Sequence, residues 1–306
     1  MLFSYNTDIL PKVRMIGKIN YINPWIHFER ISNEFILYFI REGEMYLEEN
    51  KIQYHLKKGD YFLLEPDLCH KGYKEAPCSY YYVHFKHPDL NRVDPKSEEQ
   101  AITGIIEKRK TSLLSYNLDE SDPTDPYAII NKSDSIADYQ DYKGVLNIAV
   151  SIYNRREEHY KRLSSVEFHR FLMKIAHEFV LNNVTHTAGT AIKKSILKVD
   201  GILNYLNSNY MNKISSNQIE ELYEVNFDYI NRVFSEQTGH TIFQYLNSIR
   251  INHAKELIST TNLNFNEIAY LTGIEDQYYF SKIFKKYCGI TPTQYYETMK
   301  SKTINQ

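Results

Sequence analysis

The sequence predicts an α+β chain of more than one domain. An antiparallel β-barrel comes first, helices follow, and an all-α C-terminal domain holds two helix-turn-helix units joined by a long helix. Three observations carry this. Between Trp25 and Lys86, β-prone runs are broken by turn residues at the roughly 8–12-residue spacing of an antiparallel barrel or sandwich. From Lys143 onward, apolar residues recur at helical period. The end of the chain repeats itself: Arg232-Val-Phe-Ser-Glu-Gln-Thr-Gly239-His-Thr241-Ile-Phe-Gln244-Tyr245 returns 50 positions later as Lys282-Ile-Phe-Lys-Lys-Tyr-Cys-Gly289-Ile-Thr291-Pro-Thr-Gln294-Tyr295. A fixed-period echo means one supersecondary unit used twice.

Composition narrows the class. At 306 residues the chain can build two or three cores. It has no apolar run near the roughly 18 residues of a membrane span, and Met1–Asp8 lacks the basic-then-apolar order of a signal peptide. Cys69, Cys78 and Cys288 are an odd, scattered set, expected as reduced thiols in a cytoplasm. The net charge is −2, and Lys193–Gln306 holds 12 Lys plus Arg against 11 Asp plus Glu. Non-specific affinity for nucleic acid is therefore expected to be modest.

Taken in order, Phe35–Ile40 is an apolar strand closed by Arg41-Glu-Gly43, followed by Met45–Glu48, a turn at Glu49-Asn50-Lys51, and Ile52–Leu56. Lys58-Gly-Asp60 turns the chain into Tyr61–Leu64, Pro66 ends that strand, and Ser79–Phe85 is a further one. Pro88–Ala137 reads as polar and irregular, with loop at Asp119–Pro126. Helices are expected over Lys143–Tyr160 and from a capping box at Ser164-Ser-Val-Glu167, the second with a stripe of Phe168, Phe171, Leu172, Ile175, Ala176 and Phe179. That stripe needs a partner, either the chain's own barrel or, by a small margin, a second subunit. The expected organisation is a barrel over 1–137, a helical dimerisation or packing segment over 138–183, a linker over 184–195 and the paired units over 196–306.

In the second unit, Asn264-Phe-Asn-Glu267 caps a short helix bearing Ile268, Ala269 and Leu271, and Gly273 ends it in the left-handed region. Asp276 caps the next helix, which buries Phe280, Ile283 and Phe284 and turns Gln277, Tyr278, Ser281 and Lys282 outward. The first unit repeats the plan: Ser215 and Gln218 cap a helix, and the next points Tyr229, Ile230, Val233 and Phe234 inward and Asp228, Asn231 and Arg232 outward. Outward polar residues near a helix N-terminus are what a recognition helix offers to the major groove. Gln pairs with adenine, a cation with guanine, a carboxylate with cytosine N4, and Tyr meets phosphate or a thymine methyl. Between the units, Ile242–Thr260 reads as one helix of 19 residues. At about 1.5 Å per residue it spans roughly 28 Å, against about 34 Å for one turn of DNA.

At these residues the chain resembles the AraC/XylS family of bacterial transcription regulators. The resemblance rests on Ala254-Lys-Glu-Leu-Ile258, Glu267-Ile-Ala269, Gly273-Ile-Glu-Asp-Gln-Tyr-Tyr-Phe280, Phe284-Lys-Lys286 and Gly289-Ile-Thr-Pro292, and covers about Ile214–Tyr296. It implies a two-headed DNA-binding domain with base-contacting positions at Asp228, Asn231, Arg232, Gln277, Tyr278 and Lys282. It also implies promoter DNA and RNA polymerase as partners, activation rather than repression, and a homodimer. Three positions depart from the pattern: Ile274 stands for a Phe, Tyr296 for an Arg and Glu220 for an Ala.

Gly43, the Lys58-Gly-Asp60 turn, Pro66 and His70 resemble the cupin barrel that such regulators use as a sensor. Cupin enzymes hold a metal on histidines and a carboxylate. Here His70 keeps one ligand position, but Arg30, Ser32 and Ile36 occupy the others and His27 lies outside the spacing, so neither metal, cofactor nor catalytic residue is expected. A small-molecule pocket is expected in the barrel, lined by Phe28, Tyr38, Tyr46, Glu65, His70, Tyr82 and His84, and a sugar or sugar derivative suits that set. Along Ser79–Phe85, Tyr80, Tyr82 and His84 share one face and Tyr81, Val83 and Phe85 the other, with the inner face left open. The competing readings are a metal-dependent cupin enzyme with a helical appendage, and a regulator whose barrel takes a protein partner.

Overall fold

A computed structural model describes residues 1–113, 126–136, 138–186 and 192–304. The chain forms two compact units, one of Met1–Ile106 with Thr124–Asn183 and one of Glu107–Pro123 with Val184–Gln306. The Asp119–Pro126 loop, except Pro126, and the middle of the expected linker lie outside the described residues.

In the first unit every strand pairing is antiparallel, and one long strand organises them. This is β4 (Phe35–Glu49), whose first half pairs with β6 (Asp60–Leu64) and β8 (Ala76–Lys86), and whose second half pairs with β5 (Ile52–Lys57) and β7 (Cys69–Lys74). A register shift between Ile40 and Glu42 lets one strand serve both halves. β2 (Lys12–Trp25) flanks β8, and the short β3 (Arg30–Ile31) lies on β7 with Arg30 opposite His70. β11 (Ser133–Ser135) extends the sheet beside β6, while β1 (Leu2–Asn6) pairs with β10 (Tyr127–Asn131) and β9 (Asn91–Arg92).

Alternation along β4 and β8 sorts side chains into two cores. Ile36, Tyr38, Ile40, Phe62, Leu64 and Tyr80 fill the barrel. Leu37, Phe39, Tyr81, Val83 and Phe85 face two helices, α2 (Tyr139–Arg155) and α3 (Tyr160–His186). This answers the open question about Ser79–Phe85: the Tyr80 face is the inner one. Phe168, Phe171, Leu172, Ile175 and Ala176 of α3 join that second core, so the stripe is spent on the chain's own sheet and not on a second subunit.

The expected capping box at Ser164 is absent, because α3 starts four residues earlier, at Tyr160. Both serines are buried inside the helix instead. Ser164 Oγ donates to the Ala149 carbonyl of α2 at 3.1 Å, and Ser165 Oγ accepts the Val13 N–H at 3.0 Å, where a bulge in β2 leaves that donor off the ladder. The expected irregular stretch also holds α1 (Glu98–Ser112) and the strands β9 to β11.

The second unit is helical: α4 (Ile192–Asn209), α5 (Ser216–Tyr223), α6 (Phe227–Thr238), α7 (Ile242–Thr260), α8 (Phe265–Leu271), α9 (Gln277–Cys288) and α10 (Pro292–Ile304). It has two cores that share α7. Ile242, Tyr245, Leu246 and Ile249 pack with α4, α5 and α6, while Ile251, Ala254 and Ile258 pack with α8 and α9. A helix buried at both ends in different cores is a stiff spacer.

Candidate nucleic-acid interface and ligand site

Each helix-turn-helix unit is assembled from local chemistry that the repeat encodes. Ser215 and Gln218 form a reciprocal capping box on α5, as do Asn264 and Glu267 on α8. The second helix of each pair is capped in turn: Asn226 Oδ1 accepts the Tyr229 N–H at 3.1 Å, and Asp276 Oδ1 accepts the Tyr279 N–H at 2.6 Å. Gly239 and Gly289 end those helices at φ 78° and 77°, a conformation that would strain any residue with a Cβ. Thr241 with Gln244 and Thr291 with Gln294 then start the next helices. The repeated Phe and Tyr meet edge to face in both units, Phe234 with Tyr245 at 5.6 Å and 72° and Phe284 with Tyr295 at 5.6 Å and 69°.

The two units are also bolted together. Arg250 of α7 donates to the Tyr210 and Asn212 carbonyls, both at 2.8 Å, and Tyr287 Oη donates to the Gln244 carbonyl at 2.8 Å. Gly273, in the turn of the second unit, lies so close to the loop after α4 that a Cβ would stand 2.7 Å from the Tyr210 and Met211 carbonyls.

Of the six positions expected to touch DNA, Asp228, Arg232, Gln277, Tyr278 and Lys282 are exposed, with Tyr278 89 % open. Arg232 and Lys282 are repeat equivalents, and the Arg232 guanidinium lies 5.8 Å from the Tyr229 ring centre. Asn231 is placed differently. It is half-buried, and its Oδ1 accepts the Ile242 N–H at 2.9 Å, bracing the start of α7. Glu220, the departure in the first unit, has a structural use: its Oε1 accepts the Phe227 N–H at 2.6 Å at the start of α6. Ile274 is likewise buried in the second core.

In the barrel, a connected polar cluster sits among aromatic rings. His27 Nε2 bonds the Tyr38 hydroxyl at 2.9 Å, and its Nδ1 bonds the Phe28 carbonyl at 2.7 Å. Arg30 Nε donates to His70 Nε2 at 3.0 Å, and a terminal N–H donates to the Tyr38 hydroxyl at 3.0 Å. Burial, with Arg30 nearby, lowers His27 to about 4. Burial also lowers His70 to about 4, with help from His27 and Arg30, and raises the Tyr38 phenol to about 12. All three are therefore neutral at pH 7. Trp25 and Tyr80 stack beside them at 6.1 Å, and Phe28, 58 % exposed, closes the cluster toward solvent.

Phe28, Tyr38 and His70 are thus brought together, Tyr46 lines a small crevice with Trp25 and His27, and Glu65, Tyr82 and His84 have contacts of their own. His84 Nδ1 bonds Glu34 at 2.8 Å, and Arg14 bonds the same carboxylate. Burial raises the Glu34 carboxyl, but those hydrogen bonds outweigh it and hold it below its ordinary value. Glu65 belongs to a buried ion network with Arg92, Lys132 and, through Lys132 at 2.5 Å, Glu49. Tyr46 stands on the face of β4 opposite Met45 and Leu47, stacked on His55 at 4.3 Å. Tyr82 packs at the edge of the barrel core, with its ring 6.0 Å from that of His84.

Comparison with known proteins agrees with both halves of this picture. Residues 224–298 match the model of a helix-turn-helix domain, and residues 20–101 match that of an AraC-like ligand binding domain. The HTH-type transcriptional regulator YisR of Bacillus subtilis (strain 168) is 26 % identical over 284 residues, 90 % of each chain. The melibiose operon regulatory protein of Escherichia coli (strain K12) is 27 % identical over 127 residues, 41 % of this chain and 42 % of that one. The HTH-type transcriptional activator RhaR of Enterobacter sp. (strain 638) is 41 % identical over 66 residues, 22 % of this chain and 23 % of that one. The chain belongs to the AraC family of transcription regulators.

This AraC-family regulator is a DNA-binding protein with an N-terminal ligand-binding domain. Among its described residues, no group of three or more His, Cys, Asp or Glu could hold a metal ion, and no helix is long and apolar enough to cross a membrane. Where a cupin metal ligand would stand, Arg30 presses a cation onto His70, the opposite of what a metal site needs. Sequence reasoning missed Trp25, His27, Arg30 and Tyr80 as members of the barrel cluster. The alternation that places Tyr38 with Ile36 and Ile40 also places Tyr80, and so was available. The placement of His27 and Arg30 depends on the contact between β3 and β7, which no local pattern reports.

Proposed function

We propose that the outward faces of α6 and α9 read a promoter in successive major grooves on one side of the duplex, and that a small polar molecule in the barrel biases that binding. The observation that carries this reading is the shared spacer: α7 is built into the cores of both units, so the two faces are held at one separation. Arg232 and Lys282 reach guanine or phosphate, Gln277 adenine, Tyr278 phosphate or a thymine methyl, and Asp228 cytosine N4. Asn231 braces α7 with its Oδ1 and offers its amide NH2 end toward the DNA. The near-neutral charge of the C-terminal region keeps non-specific binding weak, which favours discrimination between sites.

Activation of transcription, with RNA polymerase as partner, is supported by the relative that is named an activator, and a sugar-type effector by the relative named for the melibiose operon. Dimerisation in the cytoplasm completes the reading. With the inner stripe of α3 spent on its own sheet, the second copy falls to the outer face, where Leu163, Val166 and Met173 are exposed. The protein acts as a switch and not as an enzyme. A ligand then shifts activity only by the difference in its affinity for the arrangements it selects between.

Hydroxyl-radical footprinting of the full chain on fragments selected from genomic DNA tests this. Two protected patches per protomer, about one helical turn apart on one face, are expected. A single patch, or binding no tighter than to random DNA, would remove the reading.

A further inference from the structure

Arg30 is a barrel cation with no acid beside it, as is Arg41, which donates to Ser79 Oγ at 3.0 Å and lies 5.4 Å from the Tyr81 ring centre. Arg14 is matched by Glu34, while Arg92 and Lys132 are matched by Glu65 and Glu49. Arg30 has only neutral partners, the His70 imidazole and the Tyr38 hydroxyl, with its guanidinium 5.0 Å from the Phe28 ring centre. Among the described residues, no carboxylate lies within ion-pair distance of it. Beside it, His70 is 1 % exposed and its Nδ1 has no hydrogen-bond partner, although the Leu68 carbonyl is near enough to raise its basicity.

A guanidinium presents five N–H donors in a planar fork, and two of Arg30's are used. The remainder match the two oxygens of a carboxylate or phosphate, the pairing that gives the shortest and strongest hydrogen bonds. A neutral sugar could satisfy those donors but would leave the charge uncompensated in a partly desolvated site, which costs free energy. The walls of Trp25, Phe28 and Tyr80 suit the apolar face of a compact ring.

We propose that the effector of this barrel is a small polyhydroxylated molecule carrying an anionic group, a carboxylate or a phosphate, and that Arg30 binds that group. The inference rests on the reading of the barrel as a small-molecule sensor. It goes beyond that reading by replacing a neutral sugar with an acidic one.

Trp25 is the only tryptophan, and its ring lies 5.3 Å from that of His27, so its fluorescence reports on the cluster. The full chain is titrated with glucuronate, galacturonate and glucose 6-phosphate, and in parallel with glucose and galactose. At least one acid is expected to bind about tenfold or more tightly than its neutral counterpart, and the uronate and phosphate arms identify which anion it is. Arg30→Gln should bring acid and neutral affinities within about twofold of each other in protein whose circular dichroism shows it still folded, and Arg30→Lys should retain part of the preference. Neutral sugars binding as tightly as acids, or a preference untouched by Arg30→Gln, overturns the anion assignment and leaves a small-molecule sensor standing. Silence from both sets, in fluorescence and in thermal shift, removes the sensor reading and the anion with it.

Discussion

The two helix-turn-helix units share their scaffold and differ in their faces. Capping residues, the left-handed glycines and the edge-to-face Phe–Tyr pair recur with nearly the same geometry. The outward positions do not recur: Asp228 becomes Tyr278, Asn231 becomes Ser281, and only the cation at Arg232 and Lys282 persists. A duplicated fold thus keeps what each small core needs and varies what touches a partner. The comparison also separates roles that look alike in sequence, because a polar residue on an outer face can serve its neighbour and not a ligand.

The largest effect should come from the shared core. Phe234 and Phe284 are fully buried, and replacing either with Ala should cost about 3–5 kcal/mol through lost transfer free energy and the cavity left behind. Urea unfolding of the full chain, followed by helical circular dichroism, should give losses that agree within about 1 kcal/mol. A large difference would mean that one unit leans on the rest of the chain and that the two cores are not equivalent.

Next come the cations. Arg232→Ala and Lys282→Ala should each weaken binding to a selected site by about 1–3 kcal/mol if they read bases. If one of them contacts phosphate instead, its loss should weaken all sequences alike and reduce the slope of log K against log salt by about 1. Titrations at several salt concentrations separate these outcomes. No change at either residue would leave the repeated face without a role in binding.

How much of this was legible follows from where each requirement is written. The helix-turn-helix units were legible because caps, turn glycines and buried stripes are local, and the repeat displayed them twice. The barrel was legible only where its strands alternate cleanly. β1 and β10 pair across more than a hundred residues (Leu2 opposite Asn131), and no window contains both. α1 begins Glu98-Glu-Gln and has a weak apolar stripe, so it reads as polar loop. Glu65 was expected in the pocket because its true partners, Arg92 and Lys132, are distant in sequence. Arg30 was visible throughout, but only as a missing histidine. Its importance lies in having no acid beside it, which is a property of the fold.

The smallest predicted effect is the most discriminating. Asn231 and Ser281 occupy equivalent positions, but only Asn231 has a backbone donor to satisfy. The first residue of α7 is Ile242, with an N–H, and the first residue of α10 is Pro292, with none. Asn231→Ala should therefore cost about 1–2 kcal/mol by leaving that N–H without its acceptor. Ser281→Ala should fall within about 0.5 kcal/mol of the parent. Asn231→Asp keeps the acceptor, so it should hold stability near the parent value while weakening DNA binding by adding a carboxylate near phosphates. If Asn231→Ala instead leaves the unfolding curve unchanged and alters the preferred base at one position, Asn231 is a reader after all. The proline in the second unit would then have no bearing on the residue opposite it.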